Sequence, residues 1–164
     1  MRNVYMDFEF NGLGGHILSL GLVDEEGNGR YYVFKNEADE GKEIQPWVAE
    51  NVVPKLMDFY RTVDGYNILT YEGSTGDVQL DLVDFLKPMI EEHGAVNLVS
   101  DWPDDIKYMS QLMITGPGTM IDLPGIHFEV ARVDAYPNMF IKLVQHNAIS
   151  DALALRWKLT GIVP

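Results

Sequence analysis

The stretch from Val4 to Asn11 constrains this chain more than any other. Apolar and polar residues alternate through it, which is the two-residue period of a strand. Val4, Met6, Phe8 and Phe10 fall on one face, and Tyr5, Asp7, Glu9 and Asn11 on the other. Two carboxylates therefore project side by side from an otherwise apolar strand. Ionised in such a place, they need a cation or strong donors. A set of oxygen donors suits Mg²⁺ or Mn²⁺. A lone Asp-x-Glu is more simply an edge strand with a solvated face, so the rest of the chain has to decide.

Downstream, Asn11-Gly12-Leu13-Gly14-Gly15 reads as a turn, Ile17 to Val23 as a second strand, residues 25–29 as a hairpin loop and Tyr31 to Phe34 as a third strand. An antiparallel meander results, with the carboxylate strand at one side, able to pair with a later strand. After an acidic loop at 36–43, helical spacing of Trp47, Val48, Val52, Leu56, Phe59 and Tyr60 predicts a helix over 45–61, with a kink or break at Pro54. Trp47 is expected to pack, stacking on a base being its alternative. Residues 73–76 read as a loop and Leu80 to Glu92 as an amphipathic helix. Ala95 to Val99 reads as a buried strand, and Pro103 opens a helix to about Thr115 that Gly116-Pro117-Gly118 ends. Ile126 to Val133 alternates enough for a strand, Asp122 and Asp134 read as loop carboxylates, Pro137 lies in a loop, and a last helix is expected over 148–160. These elements predict one α/β domain over 1–164, with a mixed five-stranded sheet, meander plus parallel strands, and helices on both faces.

Composition narrows the class. Hydrophobic residues are 46% of 164, which suits a packed core, and cysteine is absent, which excludes disulfide and thiolate metal sites. No apolar stretch approaches a membrane span, and the N-terminus lacks signal-peptide form, so a cytoplasmic protein is expected. The net charge of −13 makes a poor general binder of nucleic acid. Residues 103–164 are nearly neutral, with 6 acids and 5 bases. Lys142, Arg156 and Lys158 are each expected to be ordinary solvated surface bases; if a polyanion binds, it is expected near them.

Two further acidic places stand out. Strand ends in open α/β sheets are where ligands bind, and after 95–99 come Asp101, Asp104 and Asp105. Asp101 can cap the following helix, and Asp104 and Asp105 suit its first turn. Asp105 is favoured for a metal role because it precedes Ile106, Met109 and Leu112 on the inward side. The second place is His146-Asn147-Ala148-Ile149-Ser150-Asp151-Ala152. On one helix His146 and Asp151 would stand about 140° apart. Both reach one site only if His146 precedes the helix, with Asn147 as its cap. His16, His93 and His127 have no carboxylate at a telling spacing.

In motif order, Asp7-x-Glu9, an Asp opening the helix after the fourth strand, and the His146–Ala152 block resemble the DEDDh 3′–5′ exonucleases, a family with a ribonuclease H-like fold. The small size and the Trp47-Val48…Asn51-Val52 helix resemble its short bacterial and phage exoribonuclease-like members. Where many members continue with Thr-Thr-Gly-Leu after the first Glu, this chain has Phe10-Asn11-Gly12-Leu13. In the middle motif the Asp-x-x-aromatic pattern, completed by Tyr108, matches Asp105 best, ahead of Asp104 and then Asp101.

The resemblance implies a hydrolase releasing nucleoside 5′-monophosphates from single-stranded 3′ ends. Two divalent ions, Mg²⁺ or Mn²⁺, would clamp the phosphate about 3.5–4 Å apart. Asp7 would bridge them, with Glu9 and Asp151 on the nucleophile side, Asp105 on the other and His146 as general base. Phe10, Asn11, Gly12 and Asn147 are implied in substrate binding. Many members are dimers, so a homodimer is compatible. RNA and DNA both remain open as substrates. A silent interaction module of the same fold and a phosphodiesterase on very short oligonucleotides are the alternatives; none of the five site residues is lost.

Overall fold

The computed structural model describes residues 1–35, 43–57, 66–133 and 143–162. The strands are β1 (Arg2–Phe10), β2 (Ile17–Asp24), β3 (Asn28–Phe34), β4 (Asn67–Gly73), β5 (Val96–Ser100), β6 (Ile114–Gly116), β7 (Thr119–Met120) and β8 (Ile126–Val130). The helices are α1 (Pro46–Asn51), α2 (Thr75–His93), α3 (Pro103–Met113) and α4 (Ala148–Thr160). One mixed sheet runs in the order β4-β3-β2-β1-β5-β8. The meander β1–β2–β3 is antiparallel, and β5 joins β1 in parallel, so the carboxylate strand does take a later partner.

The two faces of β1 divide the core. Val4, Met6 and Phe8 pack with Leu20, Leu22 and Tyr32 against α2 (Leu82, Leu86) and α3 (Met109). On the opposite face, Tyr5, Val23 and Tyr31 pack against Ile149, Ala152 and Leu153 of α4. Helices thus cover both faces, as expected. The approach of α4 is close at one point. A Cβ at Gly21 would overlap the backbone of Ala148 and Ile149, so α4 can settle with its first turn on β2 only over a glycine. Gly21 is the cross-strand partner of Asp7, which brings the start of α4 beside the first carboxylate.

The sheet has six strands, not five. The additional strand, β4, pairs in parallel with β3 at the edge, and its Leu69 and Tyr71 remain exposed. The helix expected over 45–61 stops at Asn51 and gives way to a short 3₁₀ turn, Val53–Lys55, where Pro54 removes a backbone donor. Phe59 and Tyr60 lie outside the described residues, as do Lys142, Asp134, Pro137 and most of the acidic loop. α2 starts earlier than expected, at Thr75, because Ser74 caps it and Asp77 returns a bond to Ser74 in a capping box. Gly116-Pro117-Gly118 follows α3 as expected, though as the turn of the small hairpin β6–β7. No described helix is long and apolar enough to cross a membrane.

Candidate metal centre

Three elements meet at the carboxyl-terminal end of β1. The strand itself offers Asp7 and Glu9, half-buried on the face that α4 covers. The turn from β5 into α3 offers Asp101 and Asp105. α4 begins after Asn147, whose side-chain oxygen accepts the Ser150 N–H at 3.3 Å, the cap predicted from the sequence. His146 stands just before that cap with φ of 62°, the only left-handed non-glycine among the described residues. That conformation is disfavoured for a residue with a Cβ. It is held by the His146 backbone N–H, which donates to Asp151 Oδ2 at 3.0 Å.

The carboxylates gather in two groups. Oxygens of Asp7, Glu9 and Asp151 lie within 4.8 Å of one another, and so do oxygens of Asp7, Asp101 and Asp105. Asp7 belongs to both. Asp104 belongs to neither; its carboxylate accepts the Trp102 indole N–H at 3.1 Å. Asp105 is buried, and its Oδ2 has no hydrogen-bond partner among the described residues.

So many acids in a partly dry site hold protons strongly. Burial, then the charges of Asp105, Asp151, Glu9 and Asp101, push Asp7 well above the usual carboxylate range. Burial and Asp151 raise Glu9 to about 8, against the pull of Lys55. Burial and Asp101 raise Asp105 to about 8, although a Phe8 N–H opposes them. Burial raises Asp151 to about 7, opposed by the backbone N–H groups of His146 and Asn147. Hard oxygen donors, raised carboxyls and an orphaned buried oxygen fit one or two hard divalent cations. Asp7, Glu9, Asp105 and Asp151 are the residues that would hold them.

His146 belongs to neither group. Its ring meets the edge of Trp47, 5.2 Å between centroids, and burial followed by the charge of Lys55 lowers its pKa. His16, His93 and His127 join neither acidic group.

The four residues implied in substrate binding pack around the segment 43–56 and α3. Phe10 stacks on Tyr108 at 4.6 Å. Asn11 is buried, donating to the Glu43 carbonyl and accepting the Gln45 N–H. Gly12 has φ of 70°, and a Cβ there would strike the Gln45 side chain. Asn147 is fully buried and donates to Tyr31 Oη and to the Lys55 carbonyl at 2.9 Å. Asn11 and Asn147 thereby tie the segment 43–56 to β1 and α4.

That segment carries what sequence reasoning missed. Trp47 is 56% exposed instead of packed in the core, and it faces His146. Lys55 brings a positive field to Glu9, Asp151 and His146 from the acidic half of the chain. Arg156, expected as a surface base, is buried with its guanidinium on the carbonyls of Asp24 and Glu25. No family model matches the chain, and no curated protein gives a significant match.

Proposed function

We propose that this chain is a metal-dependent 3′–5′ exonuclease of the DEDDh type, acting on single-stranded nucleic acid. The observation that carries the reading is the pair of carboxylate groups sharing Asp7. A shared ligand between two adjacent cation positions is what two-ion phosphoryl transfer needs. The meander followed by parallel β5 and β8 supports a ribonuclease H-like fold, with β4 as an added edge strand.

Divalent ions bound there would polarise the phosphate and make the attacking water more acidic. The protein's own part begins with Asp7, Glu9, Asp105 and Asp151, which fix the charge on the floor of the site. His146 takes the proton of the attacking water. Its lowered pKa keeps the imidazole neutral, and so basic, at neutral pH. The water oxygen bonds to phosphorus as the bond to the 3′ oxygen breaks. That oxygen leaves with a proton from solvent, and a nucleoside 5′-monophosphate is released. Trp47, edge-on to His146 and open on its other side, offers an aromatic surface at the entrance.

A gel of 5′-labelled single-stranded RNA and DNA with Mg²⁺, Mn²⁺ or EDTA tests the reading. We expect a ladder shortening from the 3′ end with either metal, none with EDTA, and none with Asp7→Ala. Cutting of a closed circular single strand, or undiminished digestion in EDTA, would overturn it.

A further inference from the structure

Asp101 has an ordinary explanation in sequence terms, as the cap of α3. The structure places the cap one residue later. Trp102 occupies the cap position, and its own side chain makes no cap bond. Asp101 instead follows the last residue of β5, half-buried, with a carboxylate oxygen within 4.8 Å of those of Asp7 and Asp105. A second observation points to a ligand at this spot. Asp105 is 2% exposed, and its Oδ2 has no hydrogen-bond partner among the described residues. A buried carboxylate oxygen left without a donor costs free energy unless something positive meets it. The nearby carboxylates of Asp7 and Asp101 only add to that cost. Their closeness makes Asp101 the charge that most raises the pKa of Asp105.

We propose that Asp101 is a fifth carboxylate ligand, completing with Asp7 and Asp105 the cation position on the α3 side of the site. This rests on the exonuclease reading and extends it, since that reading needs only Asp105 from this turn. The two positions then differ in kind. The α4 side has Asp7, Glu9 and Asp151, with Lys55 nearby to reduce their negative charge. The α3 side has three aspartates, two of them, Asp101 just before α3 and Asp105 in its first turn, only four residues apart. Aspartate is shorter than glutamate, so this position is the stiffer of the two and has less room to adapt to a larger ion. Mg²⁺ and Mn²⁺, which accept compact octahedral sites, suit it better than Ca²⁺.

Mn²⁺ titration followed by electron paramagnetic resonance, with melting curves in EDTA on the same samples, tests this. The wild-type protein should bind two Mn²⁺. Asp101→Asn should keep one step and weaken the other at least about tenfold, since even groups that only orient a ligand cost roughly 10–100-fold when removed. Asp7→Ala should weaken both steps. Wild-type binding in Asp101→Asn would overturn the role of Asp101 and leave the exonuclease reading standing. No Mn²⁺ binding by the wild type would overturn both. Should Asp101→Asn fail to fold, anomalous diffraction from the unaltered protein with Mn²⁺ decides. An ion touching Asp101 supports the proposal, and two ions with neither touching Asp101 overturn it.

Discussion

Asp24 and Asp105 are both almost completely buried, at 3% and 2% exposure, yet their surroundings are opposite. Asp24 ends β2 inside a shell of donors. Its Oδ1 accepts the Glu26 and Asn28 backbone N–H groups at 2.9 and 2.8 Å, and its Oδ2 accepts the Asn28 amide and the Arg2 guanidinium. Asp105 has an oxygen with no partner among the described residues and two acids for neighbours. A buried charge that is paired and hydrogen-bonded holds structure together; one surrounded by like charges stores a debt that a cation can settle. The hairpin end of the sheet is therefore complete as it stands, whereas the end at β1, α3 and α4 gathers acids that a cation would stabilise.

The largest expected effect lies at the acidic end of the sheet, at His146. If it takes a proton during turnover, His146→Ala should lose roughly 10²–10⁴-fold in single-turnover rate, with Mn²⁺ binding near wild type. The ring packs on Trp47, so a purely structural role would appear in the melting temperature instead. A folded His146→Ala protein with wild-type rate would remove histidine from the mechanism. It would not disturb the difference between the two aspartates.

The next effect is on stability. In EDTA, Asp24→Asn should cost about 2–3 kcal/mol, because it removes a charge that Arg2 and three N–H groups are arranged to meet. Asp105→Asn should cost nothing, or gain up to about 1 kcal/mol, since it removes a charge that its neighbours oppose. Added Mn²⁺ should stabilise the wild type and Asp24→Asn alike, through binding to the folded state alone, and Asp105→Asn less. Denaturant unfolding of the three proteins, with and without Mn²⁺, checks this. Equal losses for the two Asn variants in EDTA would mean that Asp105 is as structural as Asp24.

How much of this was legible in the sequence depended on whether one local rule stood unopposed. The alternation of β1 is uninterrupted, and both its faces were read correctly from period alone. The bounds of α4 were legible because Asn147 is a good cap and Gly161 provides the left-handed residue that ends the helix. β4 was not legible. It is an edge strand whose burial alternates only between half-buried and exposed, so Asn67–Gly73 lacks the contrast that marks a strand. The start of α2 carried its signal in Ser74 and Asp77, which flank Gly76 and follow Gly73. Asp101 was not separable from a cap on paper, because a capping role fits its position equally well; the structure moves the cap to Trp102. Arg156 was misjudged from its charge. Its spacing from Ile149, Ala152 and Leu153 follows the inward stripe of α4, and that period was the better guide.

The smallest expected effect reads the raised carboxyls directly. Glu9 and Asp105 are raised to about 8 and Asp151 to about 7, against an unfolded value of about 4. Between those values the folded chain binds more protons than the unfolded chain, so these groups make stability fall as pH rises. Their contribution is intact below about pH 4 and is lost progressively up to about pH 8. Melting curves of the EDTA-treated protein should therefore drop between pH 5 and pH 8, each kcal/mol moving the midpoint by about 2–4 °C at this size. Other titrating groups add slopes of their own, so the diagnostic quantity is a difference. Asp105→Asn should flatten the slope, because one of the raised carboxyls is gone and its neighbours lose a like charge. Asp24→Asn should melt lower than the wild type between pH 5 and pH 8. Saturating Mn²⁺ should also flatten the wild-type slope, because the cation displaces the protons and binds more tightly as pH rises. A slope that Asp105→Asn and Mn²⁺ both leave unchanged would mean that the acids at this end of the sheet are ionised without strain, and that nothing there awaits a cation.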